Sequence, residues 1–379
     1  MNNPGAIAVM LAGMLAGLLL CRAESQAAVT PPAADTVCAA PGASLAARRM
    51  ADFEVQLETY RELAAVVGQI DAEAAFIADL AARNPLNSPA AAAFVAQAEQ
   101  VRQSRLKAAV DRIDIDALAG VPGGSGLLAD IAMQSTDPDL LDAIVSRIAI
   151  EAAAGRFHPL YFQTLERRLV RVRESRIEAP TGAVTGPRSP WSAFDRYRDT
   201  RDVIGRVAGV DDWSRDLIMG YLRADWTCAE ARSEFEVAAG DHILSNIDEP
   251  NAEAVLSAFA ETEFSELHSV APSLTTRGVS VLQHAGSTEE MEDILRQIEP
   301  LALAGQFDGQ IYALLYDRVA LRSQSPQRFG SQIVCEDGDH EVYKLELPER
   351  VDDRREELGL RPLAQYLSIY RENAPPCEP

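Results

Sequence analysis

The chain has 379 residues, 47% of them hydrophobic, and a formal net charge of −22 at pH 7. This length allows one large domain or two of ordinary size, and the hydrophobic fraction is sufficient for a buried core. Proteins that bind nucleic acids need a basic surface to neutralise phosphates, so the negative charge excludes that class and disfavours anionic membrane surfaces as well.

An apolar run near the N-terminus predicts a signal peptide. The run AIAVMLAGMLAGLLL (Ala6–Leu20) has the length of the apolar core of such a peptide, and Ser25–Ala27 place small residues at the −3 and −1 positions of a cleavage site. The run is short for a membrane-spanning helix, although an uncleaved anchor is an alternative. We therefore predict a signal peptide over residues 1–27, an exported protein in the periplasm or outside the cell, and no integral membrane domain after cleavage.

Four cysteines remain after removal of that peptide, since Cys21 lies within it. Four cysteines in an exported chain indicate two disulfides, with three possible connectivities. None forms a C-x-x-C motif, so neither a redox pair nor a zinc knuckle is indicated. We predict the pairs Cys38–Cys228 and Cys335–Cys377, and the other connectivities stay open at this point.

The rest of the chain is dominated by helical periodicity, with apolar residues three or four positions apart. Asp137 and Pro138 are typical of a helix start, and Gly155 is typical of a helix end. A segment rich in Pro, Gly, Thr and Ser divides the pattern and predicts a linker. The predicted segments are a flexible lead-in (28–45), an N-terminal helical unit (46–177), a linker (178–190) and a C-terminal helical unit (191–379).

The second half of the chain repeats part of the first without a gap. The segment TDPDLLDAIVSRIAIEAAAGRFHPLYFQTLERRLV aligns with GSTEEMEDILRQIEPLALAGQFDGQIYALLYDRVA. The matched pairs are Ile144 and Ile294, Ile148 and Ile298, Gly155 and Gly305, Phe157 and Phe307, Leu165 and Leu315, and Arg168 and Arg318. A gapless run of matched apolar positions predicts a duplicated helical unit, with copies at about 50–177 and 191–325.

The helical pattern stops after the second copy. SQIVC and EVYKLEL alternate like strands around EDGD, in which Asp337-Gly338 is a favourable two-residue hairpin turn. Helical periodicity returns in DDRREELGLRPLAQYLSIY. We predict a mainly α fold made of two related helical-bundle units, the second of which carries a small C-terminal β-hairpin and a closing helix.

Short motifs in the second half resemble a bacterial domain family of unknown function. The family pattern contains Q-H-A on one helix, D-R-V near the end of another, then P-Q-x-[YF]-G-[ST]-Q, and finally R-R-x-x-x-G-L-x-x-L-x-x-Y. The matching residues are Gln283-His284-Ala285, Asp317-Arg318-Val319, Pro326–Gln332, Arg354-Arg355, Gly359-Leu360, Leu363 and Tyr366. The resemblance covers about 191–366 and implies an uncharacterised, mostly helical domain; it implies no activity.

His284 and Asp317 are the candidate catalytic residues. A histidine can act as acid or base near neutral pH, and the first copy has no histidine at the position of His284. The simpler interpretation is a core histidine bonded to a neighbour. Asp317 stands opposite Arg167 of the first copy, so its role belongs to the second copy, and a structural ion pair is favoured over catalysis.

The remaining candidates are polar residues of the motifs, and each has a structural alternative. Arg318 is matched by Arg168, which favours an ion pair or a carbonyl cap. Ser331 lacks the G-x-S-x-G context of a serine nucleophile. The candidate binding residues are Gln283, Arg318, Gln327, Ser331, Gln332, Arg354 and Arg355. The histidine spacing indicates no metal site, EDGD is too short for a calcium loop, and no cofactor is predicted.

Two functional hypotheses follow. The favoured one is a non-enzymatic binding or interaction module of the periplasm or exterior, because no complete catalytic set is recognisable. Its partner would be an unknown protein or small-molecule ligand. The alternative is a hydrolase-like enzyme in which His284 acts as acid or base and Asp317 orients it.

Overall fold

The structure is a computed structural model that describes residues 44–83, 89–154, 157, 159–174, 192–224, 226, 228–336 and 338–374. Several predicted features therefore lie outside the described residues: the signal peptide, the linker over 178–190, Gly155 and Asp337. Cys38 and Cys377 also lie outside this part of the chain. Both disulfide pairings consequently stay predictions.

The described residues are predominantly helical, as predicted. The helices before the predicted linker are α1 (Leu45–Arg83), α2 (Pro89–Val110), α3 (Ile115–Gly120), α4 (Gly124–Gln134), α5 (Pro138–Ala153) and α6 (Pro159–Glu174). After it come α7 (Ser192–Arg196), α8 (Arg198–Arg223), α9 (Ala229–Ile243), α10 (Glu249–Ala260), α11 (Phe264–Val270), α12 (Pro272–Ala285), α13 (Thr288–Leu303) and α14 (Gly309–Arg322). The C-terminal elements are β1 (Ile333–Glu336), β2 (Asp339–Val342), α15 (Val351–Glu357) and α16 (Leu363–Asn373).

Local capping residues set several helix starts. Asp137 precedes α5 and accepts hydrogen bonds from the backbone N–H groups of Asp139 and Leu140. Ser287 precedes α13 and forms a capping box with Glu290. Such caps satisfy N–H groups that have no partner inside the helix, so these starts follow directly from the sequence.

The contacts divide the described chain into two compact units. Unit 1 contains the residues before Phe53, Leu222–Glu253 and the residues after Arg277; unit 2 contains Phe53–Tyr221 and Ala254–Arg277. Each unit is made of separated segments of the chain. The predicted domains, in contrast, are consecutive and are divided by the linker at 178–190. That predicted boundary lies outside the described residues and stays a prediction.

In unit 2, glycines allow α1 and α8 to cross with their backbones in contact. A β-carbon built on Gly68 would lie 2.2 Å from the carbonyl oxygen of Gly205, and one built on Gly209 would lie 2.1 Å from that of Ala64. Trp213, only 1% exposed, lies on α8 and donates from Nε1 to the carbonyl of Leu57 on α1 at 3.4 Å. The close crossing depends on the absence of side chains at these positions.

The glycine-rich segment that precedes α4 packs against α8 in the same unit. Gly123 has a φ of +80°, which L side chains rarely adopt, and a β-carbon there would lie 2.1 Å from the Asp216 carbonyl oxygen. A β-carbon on Gly126 would lie 2.0 Å from a carboxylate oxygen of Asp216. The glycine-rich segment is therefore a tightly packed helix start.

In unit 1, the chain after α14 forms the predicted hairpin. β1 and β2 are antiparallel, with Ile333 opposite Val342 and Glu336 opposite Asp339. Gly338 has a φ of +82°, as its place in a tight hairpin turn requires. The hairpin is followed by α15 and α16, so the predicted closing helix is confirmed as two helical pieces.

Across the residues that the structure describes, we find no helix with the length and apolar character needed to cross a membrane.

Candidate functional site

The motif residues near the hairpin form one buried hydrogen-bond network in unit 1, and Asp317 lies at its centre. The Asp317 side chain is fully buried on α14, and its Oδ1 accepts backbone N–H bonds from Arg328 at 2.7 Å and Phe329 at 3.0 Å. Its Oδ2 accepts the Ser331 N–H at 2.8 Å. Burial raises the pKa of the Asp317 carboxyl, although the three N–H bonds favour its charged form. The carboxylate thus holds the 328–331 loop against α14.

Arg318, the next residue, connects the same loop to α12. Its guanidinium, 1% exposed, donates to the Gln283 carbonyl at 2.5 Å and to Oε1 of Gln332 at 3.2 Å. The Gln283 carbonyl belongs to the last turn of α12, where backbone acceptors lack partners within the helix. Arg318 is therefore a carbonyl cap.

Gln327 and Gln332 form a reciprocal pair across the start of the hairpin. Oε1 of Gln327 accepts the Gln332 backbone N–H at 2.9 Å, and its Nε2 donates to the Gln332 carbonyl at 2.9 Å. The Gln332 amide also donates to the Leu314 carbonyl at 3.2 Å. Both side chains are buried, and the Gln327 amide satisfies the backbone groups of Gln332, which lies in neither a helix nor a strand.

Ser331 is held in the same way. Its Oγ donates to the Ala313 carbonyl at 3.2 Å, its carbonyl accepts the Tyr366 hydroxyl at 3.0 Å, and the residue is 1% exposed. The preceding Gly330 has a φ of +66°. Gly330 thus supplies the backbone geometry at this point, and Ser331 satisfies a carbonyl of α14.

The two adjacent arginines also bind backbone carbonyls. Arg354 donates to the carbonyls of Glu346 and Leu347. Arg355 donates to the Arg361 carbonyl at 2.7 Å and the Phe329 carbonyl at 2.6 Å. Burial lowers the pKa of Arg355. These bonds fasten α15 to the 328–331 loop and to the residues that follow β2.

His284, the sharpest candidate, lies on α12 in unit 1 and is 6% exposed. One of its ring nitrogens lies within 4.8 Å of a carboxylate oxygen of Asp248, which is 1% exposed. Next to it, Gln283 is fully buried, and its Oε1 has no hydrogen-bond partner within the described part of the chain. The orienting carboxylate predicted for His284 was Asp317, whose oxygens are bonded to the loop backbone; Asp248 is a carboxylate that the fold brings near the imidazole.

Asp248 occupies an unusual helical turn. Residues Leu244–Asp248 form a π turn between α9 and α10, in which the Glu249 N–H bonds the Leu244 carbonyl five residues back. Pro250, two residues after Asp248, lacks an N–H and would crowd the carbonyl four residues before it in a regular α-helix. The proline thus explains the widened turn. Such turns are frequent at functional sites because they redirect side chains.

A second group of charged residues lies in unit 2. Arg277 donates to a carboxylate oxygen of Asp71 and to Oδ2 of Asp212 at 3.0 Å. Gln134 donates to the other oxygen of Asp71 at 2.7 Å. The side chains of Arg277, Asp71 and Asp212 retain exposures of 28%, 32% and 37%, so this group is partly buried.

Asp130 is the carboxylate of this group with the most perturbed environment. Burial raises its pKa well above the ordinary value, as do the negative charges of Asp216, Asp212 and Asp71, while Arg277 acts in the opposite direction. The Tyr161 hydroxyl bonds Asp130, and burial raises the pKa of that hydroxyl. Burial also raises the pKa of Asp212 to about 6. Perturbed groups of this kind are common both at functional sites and in structural ion-pair networks.

The sequence analysis missed Asp248 and the whole unit 2 group. Asp248 is 36 positions before His284, and the members of the unit 2 group come from α1, α4, α6, α8 and α12. Spacing along the chain carries no information about such contacts. The one local indication was the sequence IDEPN, in which a proline inside a helical pattern predicts an irregular turn.

Comparison with known proteins agrees with the resemblance seen in the sequence. A search of curated proteins and a search of solved structures return no match. One family model does match a segment of the chain, and this segment contains His284, Asp248 and the whole network around the hairpin. Residues 235–374 match the Family of unknown function (DUF6624).

Proposed function

We propose that the protein is an exported, non-enzymatic binding module whose C-terminal domain is a rigid scaffold. One observation carries this proposal: the polar motif side chains bond backbone groups of their own hairpin and helices. The residues that do so are Asp317, Arg318, Gln327, Ser331, Gln332, Arg354 and Arg355. Buried hydrogen-bond networks of this kind rigidify a fold and leave few groups available for a substrate.

Export is supported by the N-terminal sequence and by the number of cysteines. The run Ala6–Leu20 and the small residues Ser25 and Ala27 are those of a signal peptide. Disulfides persist in oxidising compartments. The pairs Cys38–Cys228 and Cys335–Cys377 would attach the mature N-terminus and the C-terminal tail to the folded chain.

The experiment is expression of the full chain in a Gram-negative host, followed by fractionation, N-terminal sequencing and peptide mapping without reduction. We expect a periplasmic protein that begins at Ala28, with both cysteine pairs joined. A cytoplasmic protein with an intact N-terminus and free thiols would contradict the proposal. Thermal unfolding with a panel of small molecules and peptides then identifies the ligand, because a ligand that binds only the folded state raises the Tm.

A hydrolase-like enzyme is the second candidate function, and the position of Asp248 favours it. An acid–base histidine needs a carboxylate that orients the imidazole and stabilises its charged form. In this version Asp248 has the role that the sequence assigned to Asp317, and His284 acts on the substrate. Turnover of chromogenic esters, peptides or phosphoesters by the wild type, lost in His284→Gln, would support the enzyme and contradict the binding module.

A further inference from the structure

We propose that His284 and Asp248 are ligands of a divalent transition-metal ion. The imidazole nitrogen and the carboxylate oxygen lie within 4.8 Å of each other, and both residues are buried in unit 1. The inference names a ligand for the domain and holds whether the domain is a binding module or an enzyme.

The distance suits a shared metal ion. Zinc binds histidine nitrogen and carboxylate oxygen at about 2.0–2.2 Å, so two such atoms at a tetrahedral angle lie roughly 3.4 Å apart. Small side-chain rotations bring atoms that are within 4.8 Å to that separation.

The ligand chemistry selects the class of ion. Imidazole nitrogen favours zinc, copper, nickel and cobalt, whereas magnesium and calcium favour oxygen ligands alone. A carboxylate that is 1% exposed, as in Asp248, must be compensated by a paired charge, hydrogen bonds or a metal. A site with one imidazole and one buried carboxylate therefore fits a transition metal better than a hard cation.

The backbone around the pair supports a built site. Asp248 is the last residue of the π turn, and the widened turn sets the direction of its side chain. His284 lies in the last turn of α12, where Arg318 holds the neighbouring Gln283 carbonyl. Both ligands are thus fixed by elements whose local geometry the sequence explains.

The first copy lacks the equivalent ligand. The position that aligns with His284 holds Gln134, whose amide accepts from Arg102 at 2.9 Å and donates to Asp71 at 2.7 Å. An amide makes these hydrogen bonds well and is a poor ligand for transition metals. The imidazole is therefore a feature of the second copy rather than of the shared scaffold.

The test is a titration of the metal-free full-length protein with CoCl2, followed by visible absorption. We expect saturable binding of one equivalent to the wild type, and binding at least tenfold weaker in both His284→Gln and Asp248→Asn. Glutamine is the residue of the first copy, so it suits this backbone. His268→Gln is the matched control, because His268 is also buried but bonds the Thr275 hydroxyl at 2.7 Å; it should bind cobalt like the wild type.

Two results would overturn the proposal: no saturable cobalt binding by the wild type, or binding by both ligand variants within twofold of the wild type. Circular dichroism establishes whether each variant is folded. Should a variant not fold, the wild type decides the question through the electron paramagnetic resonance spectrum of its Cu²⁺ complex. Nitrogen coupling from one imidazole supports the proposal, and its absence overturns it.

Discussion

The two copies of the three-helix segment, α4–α6 and α12–α14, share their scaffold and differ in what they carry. Asp137 and Ser287 cap the middle helix of each copy. Arg168 donates to the Ala132 and Ser135 carbonyls at the end of α4, as Arg318 does to the Gln283 carbonyl at the end of α12. The aligned apolar pairs Ile144 and Ile294, Ile148 and Ile298, and Leu165 and Leu315 are all buried.

The differences are concentrated at a few aligned positions. Asp317 aligns with the exposed Arg167 and binds the 328–331 loop that follows the second copy. His284 replaces Gln134. The comparison distinguishes three kinds of residue. Most of the aligned residues build the shared helical scaffold. Asp317 attaches the 328–331 loop, and His284 introduces an imidazole where the first copy has an amide.

The largest effect is expected for Asp317→Ala. The substitution leaves three buried N–H groups, those of Arg328, Phe329 and Ser331, without their acceptor. At about 1–3 kcal/mol for each unsatisfied group, partly relieved by relaxation, we expect a loss of about 4 kcal/mol in the free energy of unfolding. Urea denaturation measures it.

Arg167→Ala is the matched control from the first copy. Arg167 is exposed, so the change should lie within about 0.5 kcal/mol of the wild type. Equal effects of the two substitutions would show that Asp317 does not anchor the loop.

A smaller loss of stability is expected for substitution of the aligned arginines, Arg318 and Arg168. Arg318→Ala removes a buried guanidinium that bonds Gln283 and Gln332 and should cost about 3 kcal/mol. Arg168 is only partly buried, so Arg168→Ala should cost about half as much. Urea denaturation compares the two variants. If Arg168→Ala left the free energy of unfolding unchanged, the two arginines would not be structurally equivalent.

The starts of the first helices of the two copies, α4 and α12, give the third comparison. Gly123→Ala introduces a β-carbon into backbone contact at a positive φ and should cost about 2–3 kcal/mol. The aligned residue, Ser273, is exposed and bonds Asp79 through its N–H and its hydroxyl, each at 3.0 Å. Ser273→Ala should cost about 1 kcal/mol in thermal or urea unfolding. The reverse order would show that the glycine-rich segment is not tightly packed.

The smallest predicted effect is a change in pH dependence. A carboxyl whose folded pKa is raised binds more protons in the folded state, so its contribution to stability falls as the pH rises from about 4, its unfolded pKa. For Asp212 the loss is complete above its folded pKa of about 6, and the raised pKa of Asp130 acts in the same direction.

Asp130→Ser installs the residue that the second copy has at this position, Ser280. The substitution removes one negative charge from the group, so the variant should gain stability relative to the wild type between pH 5 and pH 8. Unfolding at both pH values measures the difference. A constant difference between variant and wild type would contradict the raised pKa.

Local features of the fold could be predicted from the sequence, and non-local ones could not. The caps at Asp137 and Pro138, the hairpin turn at Gly338 and the carbonyl cap made by Arg318 are each determined by a few neighbouring residues or by comparison of the two copies. The proximity of Asp248 to His284 and the bonding of Asp317 to the 328–331 loop depend on tertiary packing. The motifs identified the polar residues that form the buried network, but the role of each residue could be assigned only from its contacts in the structure.

The central claim is that Asp317 is structural whereas His284 is the functional position of the second copy. Thermal unfolding of the wild type, Asp317→Asn and His284→Gln, each with and without ZnCl2, tests it in one measurement. We predict a Tm for Asp317→Asn that is low but rises with zinc, and a Tm for His284→Gln that is near the wild type but does not respond to zinc. A zinc response that survives in His284→Gln and is lost in Asp317→Asn would contradict the assignment.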